Sequence, residues 1–129
     1  MALLANANSY EPFFCGGTLI AAQWVLTAAH CMFKDLGGTQ PYTAAELEIV
    51  LGEHDIASSS ESQIPRKGFQ VSEIITHPNY SSSTSNNDIA LLKLTEEVDL
   101  NIYTPACIAE GTDNFEGQKA WVYGEKILI

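Results

Sequence analysis

Residues 24–33 read WVLTAAHCMF, and the change of character along them decides the fold. Trp24, Val25 and Thr27 are residue types that suit a pleated, half-buried surface, so 24–27 is predicted to be a short strand. Ala28, Ala29 and Met32 favour a single helical turn over 28–33, which Gly37 and Gly38 soon stop. An imidazole placed just past the end of a strand is most simply a structural histidine. It becomes a candidate for chemistry only if other parts of the chain supply groups for it to work with.

Working outward, the chain alternates short apolar runs with turn-rich stretches, the pattern of an all-β protein. Strands are predicted at 1–5, 13–20, 24–27, 47–51, 69–76 and 89–94. The last of these, within DIALLKL, is apolar at almost every position and is expected to be covered on both faces. Asp88 stands at its start, after Asn86 and Asn87, where an aspartate is ordinarily a turn residue. ASSSESQIPRKG (57–68) and NYSSSTSNND (79–88) are too rich in serine and asparagine for a core and read as loops. AEGTDNFEGQK (109–119) has the composition of a linker. The start MALLANANSY lacks a basic n-region and a long apolar run, so it reads as a strand and not as a signal peptide.

Composition narrows the function. The 129 residues are 46% hydrophobic and 17% charged, enough apolar material for one packed domain. Sixteen acidic against six basic residues give a formal charge of −10. No basic stripe exists to neutralise phosphates, so nucleic acid is excluded as a partner. No run approaches the ~20 apolar residues of a membrane span. Of the three cysteines, Cys15 and Cys31 enclose a loop of moderate length that suits a disulfide. Cys107 is left over, either a free thiol or half of a bond to something outside the chain. A zinc site at Cys15, His30 and Cys31 is the rival arrangement, but no paired CxxC spacing accompanies it. A disulfide would imply an oxidising compartment, secreted or lumenal.

FCGGTLI (14–20), WVLTAAHC (24–31) and NDIALLKL (87–94), in that order, resemble the N-terminal half of a chymotrypsin/trypsin-like serine protease. LGEHD (51–55), ITHPNY (75–80), PACI (105–108) and AWVYG (120–124) continue the likeness over nearly the whole chain. The resemblance implies a six-stranded antiparallel barrel over 1–109, a linker over 110–117 and the start of a second barrel over 118–129. It implies that His30 is the general base of a Ser-His-Asp triad, that Asp88 is the carboxylate orienting it, and that Cys15–Cys31 pins the histidine loop. In the family, backbone amides at the positions of Ala29 and His30 help hold that carboxylate. In relatives with a cysteine at the position of Cys107, it commonly ties the catalytic domain to an upstream light chain or propeptide.

The chemistry explains the residue types. A serine hydroxyl is a poor nucleophile until a base takes its proton. An imidazole with a pKa near ~6.5 can accept and return that proton near neutrality. The family's nucleophile lies in a GDSGGP motif, which this sequence does not contain. Its serines, at 9, 58–60, 62, 72, 81–83 and 85, all lack that glycine setting. The IVGG-like start of mature family members is likewise not present. The expectation is therefore a trypsin-like serine endopeptidase acting on protein or peptide substrates in its full-length form, with these 129 residues inactive alone. The other reading is a non-catalytic, protease-like module that binds peptides or a partner protease. No cofactor is expected. Some family members hold a structural Ca²⁺ after the LGE segment, where Glu53 and Glu61 are the carboxylates at hand, and a solvated loop is the simpler reading.

Overall fold

A computed structural model describes residues 1–8, 13–52 and 64–120. It shows six strands: β1 (Ala2–Asn6), β2 (Cys15–Ala21), β3 (Trp24–Thr27), β4 (Leu47–Leu51), β5 (Lys67–Thr76) and β6 (Ala90–Leu94). They close into one antiparallel barrel in the order β1-β2-β3-β6-β5-β4, with β1 pairing β4 to complete the ring. Closure removes both sheet edges, so the barrel presents no open strand for another chain to pair with.

The interior follows from period-two alternation. Leu4, Leu19, Val25, Leu47, Ile49, Leu51, Phe69, Val71, Leu92 and Leu94 point inward and form one core. β6 is not covered on both faces as its sequence suggested. Ala90, Leu92 and Leu94 are buried while Leu91 and Lys93 are only half-buried, and Ile89 is exposed and precedes the strand. One side of β6 faces the barrel core and the other faces outward, which is what a single closed layer requires.

β5 changes phase partway along. Phe69 and Val71 are buried, and beyond them Ile74 and Thr76 take the more protected positions. The switch falls at Ser72, where the register against β6 shifts between Val71 and Glu73. One extra residue on a bulged strand turns the following side chains to the other face. The hydroxyl of Ser72 donates to the Lys93 carbonyl at 3.1 Å, which ties the bulge down. β5 also begins two residues earlier than its apolar run, because Lys67 and Gly68 pair with Leu51 and Val50.

Two short 3-10 turns complete the described secondary structure. The first, Ala29–Met32, is the helical turn expected after β3. The second, Ala44–Glu46, leads into β4 and was not read from the sequence. Its signal was present as a capping box, Thr43 with Glu46 three residues on, each bonding the other's backbone. After β6 the chain returns across the barrel. Val98 N–H donates to the Ala22 carbonyl at 2.7 Å and Ala106 N–H to that of Leu19 at 2.8 Å. Tyr103 packs edge-on to Phe69, and its hydroxyl donates to the Pro65 carbonyl at 2.6 Å. Beyond that, 107–120 is exposed and contains no strand.

Candidate active site

β3 and β6 run antiparallel with Thr27 opposite Ala90. The turn that leaves β3 therefore lies beside the segment that enters β6. His30 is three residues past Thr27 and Asp88 two before Ala90, so the register alone brings them together. Small residues make the approach feasible. Ala29 is completely buried in the core cluster, where a larger side chain would have to displace its neighbours.

The contact is double. Asp88 Oδ1 accepts the backbone N–H of His30 at 2.7 Å, and Asp88 Oδ2 lies 2.7 Å from His30 Nδ1. An ionised carboxylate can only accept, so Nδ1 carries a proton, and in the neutral ring Nε2 keeps its lone pair. The Asp88 side chain is 27% exposed and that of His30 60%. Burial pushes the Asp88 carboxyl up, but hydrogen bonds from the His30 backbone and ring, the ring's charge and the Ala29 backbone outweigh it. The net effect holds Asp88 below its ordinary value. The carboxylate thus stays ionised across the neutral range.

Cys15 and Cys31 form a disulfide, with their Cα atoms 6.1 Å apart. It joins the start of β2 to the histidine turn and fixes where that turn sits. Sγ of Cys31 lies 3.6 Å from His30 Nε2. A disulfide sulfur has no proton to donate, so the Nε2 lone pair remains unclaimed there. The sulfurs of Cys15 and Cys31 and a ring nitrogen of His30 do lie within 4.8 Å of one another, as the zinc reading required. The two sulfurs are bonded to each other, however, and a disulfide is not the thiolate pair that zinc needs. The expected disulfide is the arrangement present, and its zinc rival lacks the thiolate donors. Cys107 is free and exposed.

Three further residues hold the site, and sequence reasoning did not single them out for it. Asn87 adopts a left-handed backbone, φ 57°, immediately before Asp88, and so turns the carboxylate toward the histidine. Its side-chain amide donates to the Asn79 carbonyl at 3.0 Å. Phe33, just after the histidine turn, stacks on Tyr80 with ring centroids 5.8 Å apart, which packs the loop leading to Asp88 against the loop leaving His30. The available signals were an asparagine beside an aspartate, and two aromatics flanking the segments that meet.

None of the described serines is bonded to His30. Ser72 donates to the backbone of β6, Ser82 to the Gly37 carbonyl, and Ser81 pairs with Ser83. Glu53 and Glu61, named for a calcium site, lie outside the described residues, as does most of the AWVYG stretch.

A closed six-stranded antiparallel barrel, with a histidine on the turn after one strand and an aspartate bonded to it just before the neighbouring strand, is the class of architecture seen in trypsin-like folds. The comparison with known families agrees: the family model described as Trypsin matches residues 1–126. The chain belongs to the trypsin family. Mannan-binding lectin serine protease 1 of Homo sapiens is 33% identical over 132 residues, covering 96% of this chain and 18% of the relative. The Rattus norvegicus protein of that name is 35% identical over 118 residues, covering 85% of this chain and 16% of the relative. Trypsin I-P1 of Gallus gallus is 36% identical over 105 residues, covering 77% of this chain and 37% of the relative. The chain therefore spans less than half of the length of these relatives.

Proposed function

We propose that this chain supplies the base and the orienting carboxylate of a trypsin-like serine endopeptidase. The observation that carries the reading is the 2.7 Å contact of Asp88 Oδ2 with His30 Nδ1, made while Oδ1 holds the backbone of the same residue. In the proposed reaction Nε2 takes the hydroxyl proton of a serine as its oxygen attacks the peptide carbonyl. The imidazolium so formed is stabilised by Asp88. It then returns the proton to the leaving amine as the C–N bond breaks, leaving an acyl-enzyme that water cleaves by the same relay.

The nucleophile and the oxyanion donors belong to sequence outside these 129 residues. Without them the chain cannot form an acyl-enzyme by itself. The Cys15–Cys31 bond favours a secreted or lumenal location. Among the described residues no helix is long and apolar enough to cross a membrane. A bond from Cys107 to an upstream chain or propeptide belongs to the same reading, supported by a thiol that is free and exposed. The linker and second-barrel assignments for 110–117 and 118–129 belong to this same reading.

A serine-directed fluorophosphonate probe tests the proposal. The isolated 129-residue chain is expected to remain unlabelled. A longer product of the same transcript is expected to be labelled on a serine outside these residues and to lose labelling in His30→Ala. Stoichiometric labelling of the isolated chain, or labelling of the longer product that ignores His30→Ala, would overturn it. Titration of the oxidised chain should find one thiol, that of Cys107.

A further inference from the structure

We propose that Asn79 is an acceptor for an N-linked glycan. Among the asparagines of the sequence, only Asn79 is followed two places later by a serine or threonine with a residue other than proline between, as Asn79-Tyr80-Ser81. Such a triplet is short enough to arise by chance. What gives it weight is where the fold leaves its three residues.

The triplet occupies the turn between β5 and β6. Tyr80 N–H donates to the His77 carbonyl at 3.0 Å, and Asn79 N–H to the His77 ring at 3.0 Å, so the turn is closed by its backbone. Asn79 also uses its carbonyl, accepting from Asn87. Its side-chain amide, by contrast, has no hydrogen-bond partner among the described residues, and the residue is exposed. Tyr80 does the anchoring, half-buried and stacked on Phe33. The neighbour is held while the asparagine stays exposed. Because the glycan is added as the chain enters the lumen, the fold need only leave that amide in solvent. Here it does so without breaking any bond of the turn.

The transfer balances with one co-reactant, a lipid-diphosphate-linked oligosaccharide. The Asn79 side-chain nitrogen forms a bond to the anomeric carbon. The bond from that carbon to the diphosphate oxygen breaks, and the lipid diphosphate leaves with the electron pair. The amide proton passes to a base of the transferase. The hydroxyl of Ser81 is the group by which the transferase recognises the triplet. The consequence for the site is positional: Asn79 is bonded to the residue before Asp88, so a glycan there stands on the same rim as His30 and Asp88.

This inference rests on the lumenal location proposed above, and the experiment separates the two. The full chain is directed into the secretory pathway of a eukaryotic cell, with an Asn-Gly-Thr acceptor tag appended to report passage. Treatment with peptide-N-glycosidase should lower the wild-type chain by two glycan steps, and Asn79→Gln or Ser81→Ala by one. Ser81→Thr should restore two, and mass spectrometry should find the glycan-bearing site at position 79. A chain with its tag modified and its Cys15–Cys31 bond formed, but with Asn79 bare, overturns the inference while leaving the location intact.

Discussion

Asp88 holds His30 at two points at once, its Oδ1 on the backbone N–H and its Oδ2 on ring Nδ1, each at 2.7 Å. The first bond fixes where the residue sits and the second fixes which ring nitrogen is protonated. Asp88→Asn separates these roles. An amide can turn its oxygen to the backbone N–H and then offers an N–H where Nδ1 also carried one. Nitrogen NMR of the ring should show the proton moving from Nδ1 to Nε2, the tautomer that cannot act as base toward a serine. Loss of a charge-assisted bond also predicts about 1.5–3 kcal/mol lower stability in denaturant unfolding. An unchanged tautomer in Asp88→Asn would show that Asp88 does not orient the ring.

The depressed pKa of Asp88 carries a pH dependence of known sign. In the unfolded chain an aspartate titrates near ~3.9, above its folded value. The group's contribution to stability is therefore fully present above that unfolded value and lost as pH falls through the folded one. Unfolding free energies of wild type and Asp88→Asn should differ most above about pH 5 and converge in acid. A gap independent of pH would assign the difference to packing.

Much of this was legible in the sequence, for reasons that differ by element. β3 and β4 were read with their observed bounds because each coincides with a local apolar run. The early start of β5 was not legible, since Lys67 and Gly68 join the sheet only through β4. Nor was the phase change at Ser72, which exists because β6 pairs across a bulge. His30 and Asp88 were paired as candidates through motif resemblance, as 58 residues separate them and no local pattern links a turn aspartate to a distant histidine. The fold explains the link afterwards, by setting Thr27 opposite Ala90. Asn87 stayed hidden because a backbone angle, and not a side-chain property, gives it its role.

That backbone angle makes a separate prediction. Asn87 sits at φ 57°, a conformation that asparagine and glycine adopt more readily than alanine. Asn87→Ala should cost about 1–2 kcal/mol from the left-handed backbone, with the loss of the bond to Asn79 added. Asn87→Gly keeps the backbone and loses only the bond, so it should be the milder change. The NMR line of the His30 Nδ1 proton should broaden in the alanine variant and persist in the glycine one. Equal effects in both would remove the backbone from the account.

The Cys15–Cys31 bond closes a loop with a sequence separation of 16. Constraining an unfolded chain over that length contributes about 3 kcal/mol in the chain-entropy picture. Replacing both cysteines by alanine should lower the melting temperature by on the order of 10 °C, measured by circular dichroism. The histidine turn should suffer more than the barrel, because the bond is its link to β2. Hydrogen exchange at residues 29–33 should rise further than at β4. Uniform acceleration across both would mean that the bond stabilises the barrel without specially holding the turn.

The adjacent glycines of β2 should respond in opposite ways to the same substitution. A Cβ on Gly17 would lie 2.9 Å from Val25 Cγ1 and 3.0 Å from the Leu26 carbonyl oxygen, and the second of these is backbone that cannot rotate away. Gly17→Ala should therefore cost about 1–3 kcal/mol by forcing β2 and β3 apart. A Cβ on Gly16 meets nothing nearer than the Ala2 carbonyl at 3.9 Å. Gly16→Ala should be neutral, or stabilising by about 0.4–1 kcal/mol as it restricts the unfolded chain. Because β3 feeds the histidine turn, the Gly17 variant should also weaken the His30–Asp88 contact, read as loss of the Nδ1 proton signal. If the two alanine variants are equally stable, β2 and β3 do not pack as closely at Gly17 as described.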